Sequence, residues 1–427
     1  MMRRWSVVCD EDVIWPTIHD VQGRSEEAIS TYQQALASAK EADDKRTVGM
    51  VLINLGVYYL DRGRHDEALA SLKSALPIYR DLGDDERQAL CLSNIGTTYY
   101  AKAEYEEART YLERALEIRE KSKIAAAISL TLSNLGGVST VLGDYDRAQK
   151  QYVRAVELSR GADDGRGEAI ASLGLGVLYV FQGRYGAALT ADDQALKKWR
   201  ELNERSSEVV QTFSEYGLAL SMVGRFDDAK KHLDEAMQVA KGLKSESLTA
   251  QTLNYQGDSA YYRGDVRTAQ GLFEQAAQTA KRASSRYDEL RASLNLAKVA
   301  AEDSRPQGAV TQLRTLMGQA DASGLKYQSA ECSLYLGAAL IGMKDFRQAR
   351  TELESAVTKS DSLGARAVLA RSHYFLGEAL RLAGDSAAAA GHYTTARQTV
   401  EEMKSEARSD GLVARYDLKP LLQPPAR

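Results

Sequence analysis

Proline is scarce in this chain, with six in 427 residues, and a residue that interrupts helices is tolerated that rarely when nearly everything is helical. Cysteine is scarcer still. Cys9, Cys91 and Cys332 lie far apart and form no CxxC, so neither a disulfide framework nor a zinc site is indicated. Cys91 and Cys332 fall inside helical patterns, as small buried hydrophobes do. The five histidines, His19, His65, His232, His373 and His392, show no metal-ligand spacing. There is no GxxxxGK, HExxH or GxSxG, so the chain reads as non-enzymatic and without a cofactor. No sign of charge dominates, since 55 basic residues face 59 acidic ones for a net charge of −4. A nucleic-acid backbone would find no biased surface to follow, and no nucleic-acid partner is predicted. No run approaches the ~18 apolar residues that span a bilayer. After Arg3 and Arg4 the short run from Trp5 to Cys9 is stopped by Asp10, Glu11 and Asp12 before a secretory core could form. A cytoplasmic chain without a membrane segment is expected.

What the chain does have is a beat. Glycine recurs at Gly56, Gly96, Gly136, Gly176, Gly217, Gly257, Gly337 and Gly377, with Ala297 at the skipped position. Self-similarity of this kind denotes stacked supersecondary units, each burying its apolar face against its neighbours. The clearest copy runs Leu92-Ser93-Asn94-Ile95-Gly96-Thr97-Thr98-Tyr99-Tyr100, then Glu104 to Ala108, then Tyr111 to Leu116. Apolar residues at helical spacing on both sides of a small-residue turn predict two antiparallel helices, A and B. The turn is usually Gly with Arg or Asp, as in Gly63-Arg64, Gly183-Arg184 and Gly264-Asp265. Acidic pairs such as Asp66-Glu67, Glu106-Glu107 and Asp227-Asp228 follow. Their recurrence at one repeat position marks them as first-turn residues that complement the helix dipole, not as a catalytic pair. An alanine then recurs from Ala28 to Ala389 and, with the glycine of helix A, leaves room for a close crossing.

Leu55-Gly56, Tyr59, Ala68 and Ala75 carry a resemblance to the tetratricopeptide repeat over residues 21–404. The 40-residue period is similar to that of kinesin light chain and related peptide-binding arrays. The resemblance implies an all-α, right-handed α-solenoid, here a half repeat and nine repeats. The unit containing Ala297, Ala300, Ser304 and Pro306 departs from the pattern and is expected to be helical but loosened; Pro77 is expected to kink its helix.

In such an array the A helices line the inner face. Asn54, Asn94, Asn134 and Asn295 stand two residues before the recurring position, and Asn254 one place out of line. In the relatives this chain resembles, such a ladder hydrogen-bonds the backbone of an extended peptide. A carboxamide offers both donor and acceptor for that purpose, and it can equally cap or brace a neighbouring helix. The rungs then become Gly174, Glu215 and Tyr255, so the peptide register is expected to end at Gly174. Val177, Val180, Phe181, Leu218 and Met222 form either an apolar floor for a partner or packing between repeats. Tyr261, Arg291, Lys298, Arg371 and Arg381, with Asp258, Glu302 and Glu378, place mixed charge on the same face, suited to specificity and steering.

Residues 1–20 do not supply the helix A that the leading half repeat needs, which predicts a fragment of a longer chain. Residues 405–427, with Pro420, Pro424 and Pro425, are expected to form a short capping helix and an extended end. The last repeats and the stretch Ala414 to Lys419 resemble the C-terminal repeats of bacterial serine/threonine protein kinases, a resemblance that would place the array outside the cytoplasm if it were the arm of a membrane-anchored kinase. The first expectation is a non-catalytic scaffold or adaptor that takes an extended peptide or protein segment in its groove. The alternatives are the regulatory arm of a signalling enzyme and a receptor for a short signalling peptide. The sequence leaves the oligomeric state open.

Overall fold

The structure, a computed structural model, describes residues 25–302 and 306–423. The expected N-terminal segment 1–20, the Gly23-Arg24 turn, Cys9, Ser304 and the last prolines, Pro424 and Pro425, lie outside the described residues. The chain divides between Val138 and Ser139 into two compact units.

In the first unit, α1 (Ser25–Glu41) is followed by the pair α2 (Lys45–Asp61) and α3 (His65–Asp81), the pair α4 (Asp85–Ala101) and α5 (Tyr105–Ser122), and α6 (Ala125–Val141), whose last residues belong to the second unit. The second unit continues with α7 (Tyr145–Gly161), α8 (Gly165–Phe181), α9 (Tyr185–Leu202), α10 (Ser207–Met222), α11 (Phe226–Gly242), α12 (Glu246–Arg263) and α13 (Val266–Arg282). It ends in α14 (Arg286–Ala301), α15 (Pro306–Ala322), α16 (Lys326–Gly342), α17 (Phe346–Ser362), α18 (Arg366–Leu382) and α19 (Ser386–Ala407), with two short 3-10 turns at Asp410–Ala414 and Lys419–Leu422. Even-numbered helices are the A helices and odd-numbered ones the B helices. The described residues form an α-solenoid of antiparallel pairs.

The loosened repeat is present as two helices, with Pro306 as the first residue of α15, where its missing N–H costs nothing. Helix α3 continues through Pro77 to Asp81 without a break.

The close crossing of each pair explains the glycine beat. A Cβ at Gly56 would sit 2.6 Å from Leu72 Cγ, and one at Gly96 2.7 Å from Leu112 Cγ. Ala68 and Ala108 on the facing helix are fully buried. Leu72 and Ile95 join Ile53, Leu69 and Tyr79 in one core cluster of the first unit. Helices in folded proteins owe most of their stability to packing of an apolar face and not to propensity, so this burial is what holds α2 and α3. Between A and B the backbone needs one left-handed residue. Gly183 (φ +67°) supplies it in one unit, whereas Ala103 (φ +62°) and Lys344 (φ +63°) accept it under strain in two others. Asp66-Glu67 and Asp227-Asp228 fall in first turns as expected, and the second acid of each pair also clamps the turn: Arg64 reaches Glu67 at 2.8 Å and Arg225 reaches Asp228 at 2.8 Å.

Within the second unit successive A helices pack on one another along the stack from α8 to α18. The A helices therefore form the inner layer, and the B helices the outer one.

Candidate peptide-binding site

At 100° per residue, a position two before the glycine lies about 200° round helix A from the face that meets helix B. Asn54, Asn94 and Asn134 therefore point away from their own B helices, toward the inner layer. All three are buried in the first unit, at 5%, 2% and 2% exposure. Oδ1 of Asn54, Nδ2 of Asn94 and Oδ1 of Asn134 are buried without a hydrogen-bond partner. A buried carboxamide atom without a partner costs about 1–3 kcal/mol, and here the cost recurs on three consecutive rungs. Asn254 behaves differently. Its Nδ2 donates to the backbone carbonyl of Asp288 on the next A helix at 3.2 Å, so this side chain braces its neighbour, while its Oδ1 is buried without a partner. Asn295 keeps a buried Nδ2 without a partner in the second unit.

Beyond the asparagines the rungs are occupied from within. Gly174 makes room for the Tyr152 ring, whose Cε1 would lie 2.1 Å from a Cβ there. The Tyr255 hydroxyl donates to Glu215, and the Arg291 guanidinium stacks on the Tyr255 ring at 4.0 Å. Burial raises the pKa of Glu215, an effect that the Tyr255 hydrogen bond and Arg291 oppose.

The charged residues expected to steer a ligand are mostly buried and paired with each other. Asp258 holds Arg291 at 2.7 Å and Lys298 at 3.4 Å. Glu302 accepts from the Tyr261 hydroxyl at 2.8 Å and from Arg371, which also donates to the Tyr335 hydroxyl at 2.7 Å. Lys298 and Arg371 are only 3% and 4% exposed. Their charges are spent internally, so long-range steering is not their role. Arg381 pairs within its own helix with Glu378 at 2.8 Å. Glu331, half-buried among these groups, is pushed up to about 7 by burial against the pull of Lys298.

The apolar positions are also engaged. Val177 is buried, and Phe181 meets the Tyr327 ring edge-on at 4.6 Å. Leu218 and Met222, with Val180 against them, pack on Leu412, Leu418 and Leu421, which come from beyond α19. Packing between repeats, one of the two sequence readings, is present, since Tyr185, Leu233 and Tyr255 share this cluster; the arrival of the three leucines was not anticipated. Helix α19 runs to Ala407, and in place of a separate capping helix and an extended end the two 3-10 turns fold back onto α10 and α12.

Asp192 was missed as well. It occupies the place of Leu72, Leu112 and Leu233, the residue that fills the glycine notch, and an added Cβ at Gly176 would touch its carboxylate. Asp192 is fully buried, neither oxygen has a partner, and burial, aided by Glu215, raises its pKa well above the usual range. The repeat frame made this substitution legible.

Comparison with known proteins fits this geometry. Residues 18–81 and 47–121 match the tetratricopeptide repeat, and residues 95–415 match the MalT-like TPR region. The chain belongs to the MalT-like tetratricopeptide-repeat family. No curated protein matches this repeat protein by sequence. Among solved structures it is similar to a Rap protein complexed with competence and sporulation factor, at 16% identity and a TM-score of 0.62, over 84% of this chain and 99% of that one. It is similar to the apo form of RapI, at 16% identity and a TM-score of 0.53, over 63% and 96%. Human IFIT1, solved as a dimer with m7Gppp-AAAA, is similar at 16% identity and a TM-score of 0.51, over 90% and 88%. At this identity the likeness shows the fold of this TPR protein. Among its described residues no helix is long and apolar enough to cross a membrane.

Proposed function

We propose that this TPR protein is a non-catalytic scaffold that takes an extended peptide or protein segment along the asparagine ladder of the first unit. The observation that carries the reading is the run Asn54, Asn94 and Asn134, three buried carboxamides each keeping one atom unpartnered. A carboxamide offers both a donor and an acceptor to the backbone N–H and C=O groups of an extended segment without fixing the partner's side chains. The near-equal numbers of acidic and basic residues favour a peptide over the phosphate backbone of an RNA. The similarity to a Rap protein crystallised with competence and sporulation factor supports a recognition role for the array.

The test is selection of peptides from a random displayed library on the full chain, followed by titration of the selected sequence. Asn94→Ala combined with Asn134→Ala removes two buried hydrogen bonds and should weaken binding by roughly 1–3 kcal/mol, about five- to 150-fold. Unchanged affinity in a folded double variant would overturn the ladder as the binding element. Selective retention of a capped RNA, with no peptide enriched, would overturn the choice of ligand.

A further inference from the structure

The second unit holds a seated segment whose attachment has an unusual composition. Residues 409–423 lie against the ends of two A helices. Ser409 Oγ donates to the carbonyl of Val223 at 2.9 Å, Arg415 Nη1 to that of Met222 at 3.4 Å, and the Tyr416 amide to that of Tyr262 at 2.8 Å. These are carbonyls at the C-terminal ends of α10 and α12, groups a helix leaves without an internal partner. Between them, Leu412, Leu418 and Leu421 enter the cluster built on Leu218, Met222 and Tyr255. The Arg415 guanidinium lies over the Tyr262 ring at 4.4 Å, and the Tyr416 ring meets Tyr261 edge-on at 5.5 Å.

The charges keep to their own sides. Arg415 pairs with Asp417 at 2.8 Å inside the segment, and both are buried. Asp410 pairs with Lys404 of α19 at 2.9 Å. On the groove side Asp258 holds Arg291 and Lys298, and Glu302 holds Arg371. Among the described residues no ion pair joins 409–423 to α8–α18, although Arg371 and Lys298 act on Asp417 from a distance. Departure of the segment would thus leave no groove charge stripped of its counterion, the event that makes breaking a buried pair so costly. What joins the two sides is apolar burial and hydrogen bonds to helix-end carbonyls, the make-up of a peptide–groove interface. The seat is also tightly shaped. A Cβ at Gly411 would lie 2.5 Å from the carbonyl oxygen of Val223, and one at Gly224 2.3 Å from that of Gly411.

We propose that residues 409–423 are a displaceable internal occupant of a second peptide groove, formed by α10 and α12 in the second unit. A partner of the same chemistry, a short turn-forming segment with spaced leucines around a self-neutralising Arg-x-Asp pair, competes with the segment for that groove. This site is independent of the asparagine ladder, and either can fail alone.

A labelled synthetic peptide of residues 408–423 tests it against two full-length chains. Gly411→Val puts a side chain into the Val223 carbonyl and unseats the segment while leaving the sequences of α1–α19 intact. This chain should bind the wild-type peptide at least tenfold more tightly than the wild-type chain does, and a peptide carrying the same substitution should not bind. A folded Gly411→Val chain that fails to bind would overturn the proposal. Hydrogen exchange on the wild-type chain decides it if that variant does not fold. The Tyr416 amide should exchange at least tenfold faster than the buried amide of Tyr255 in α12, whereas equal rates would make the segment a permanent part of the core and overturn it. A wild-type dimer that the peptide dissociates would give the groove to a second copy's segment and overturn occupancy by the chain itself.

Discussion

The inner layers of the two units are built on the same beat and reach opposite ends. In residues 25–138 the rungs are asparagines, and each keeps one buried carboxamide atom without a partner. In residues 139–423 most equivalent and neighbouring positions carry tyrosine, glutamate, arginine and lysine, which pair with one another, although Asn254 Oδ1, Asn295 Nδ2 and Glu215 Oε2 remain without a partner. Asparagine is too short to reach the next rung unless a backbone carbonyl happens to face it, as Asp288 faces Asn254. Long charged and aromatic side chains can bridge the spacing. One repeat can therefore carry short carboxamides or a network of paired long side chains on the same face by changing only side-chain length and charge.

Four changes would break or sharpen that contrast. The largest effect is expected from Lys298→Met, which strips Asp258 of one buried partner. Removing one member of a buried pair costs about 3–5 kcal/mol, so a large drop in the denaturant midpoint is expected, and a drop below about 1 kcal/mol would mean the closed network contributes little. Asp192→Leu should act the other way, because leucine fills the same notch at Leu72, Leu112 and Leu233. Replacing an unpartnered buried carboxyl should stabilise the second unit by about 1–3 kcal/mol, and chemical denaturation of the variant should show its transition shifted upward.

Glu331 gives a pH signature. Its folded pKa, about 7, lies above the ordinary 4.5. Folding then takes up a proton between those values, so its contribution is intact below pH 4.5 and is withdrawn as pH rises through 7. A loss of roughly 1–3 kcal/mol over that window is expected in the wild type, and Glu331→Gln should flatten it. A parallel pH profile in that variant would reassign the titration. The smallest effect belongs to the first unit. Asn94→Ala should change stability by less than about 1 kcal/mol, because one carboxamide atom already lacks a partner. A clearly larger loss in thermal or denaturant unfolding, about 2 kcal/mol, would show that this asparagine braces the array as Asn254 does.

The recurring glycine, the alanine that faces it and the acid that follows the turn were legible because each has one local task that returns in every repeat. The asparagine ladder was legible for the same reason, as was Asp192 to a reader of the frame. Pairing across repeats was not. Arg291, Lys298 and Arg371 are ordinary surface residues in one dimension, and only their meeting with Asp258, Glu302 and Tyr335 from other helices makes them part of the interior. The leucines after α19 carry no periodicity, so their destination on α10, far back along the chain, had no sequence signature. Periodicity reports what a residue does for its own helix pair and the next, and on that basis the sequence by itself determined the solenoid and its inward face. Which side chains of that face meet and pair was decided by tertiary structure alone, because long-range burial and charge pairing depend on where distant segments arrive.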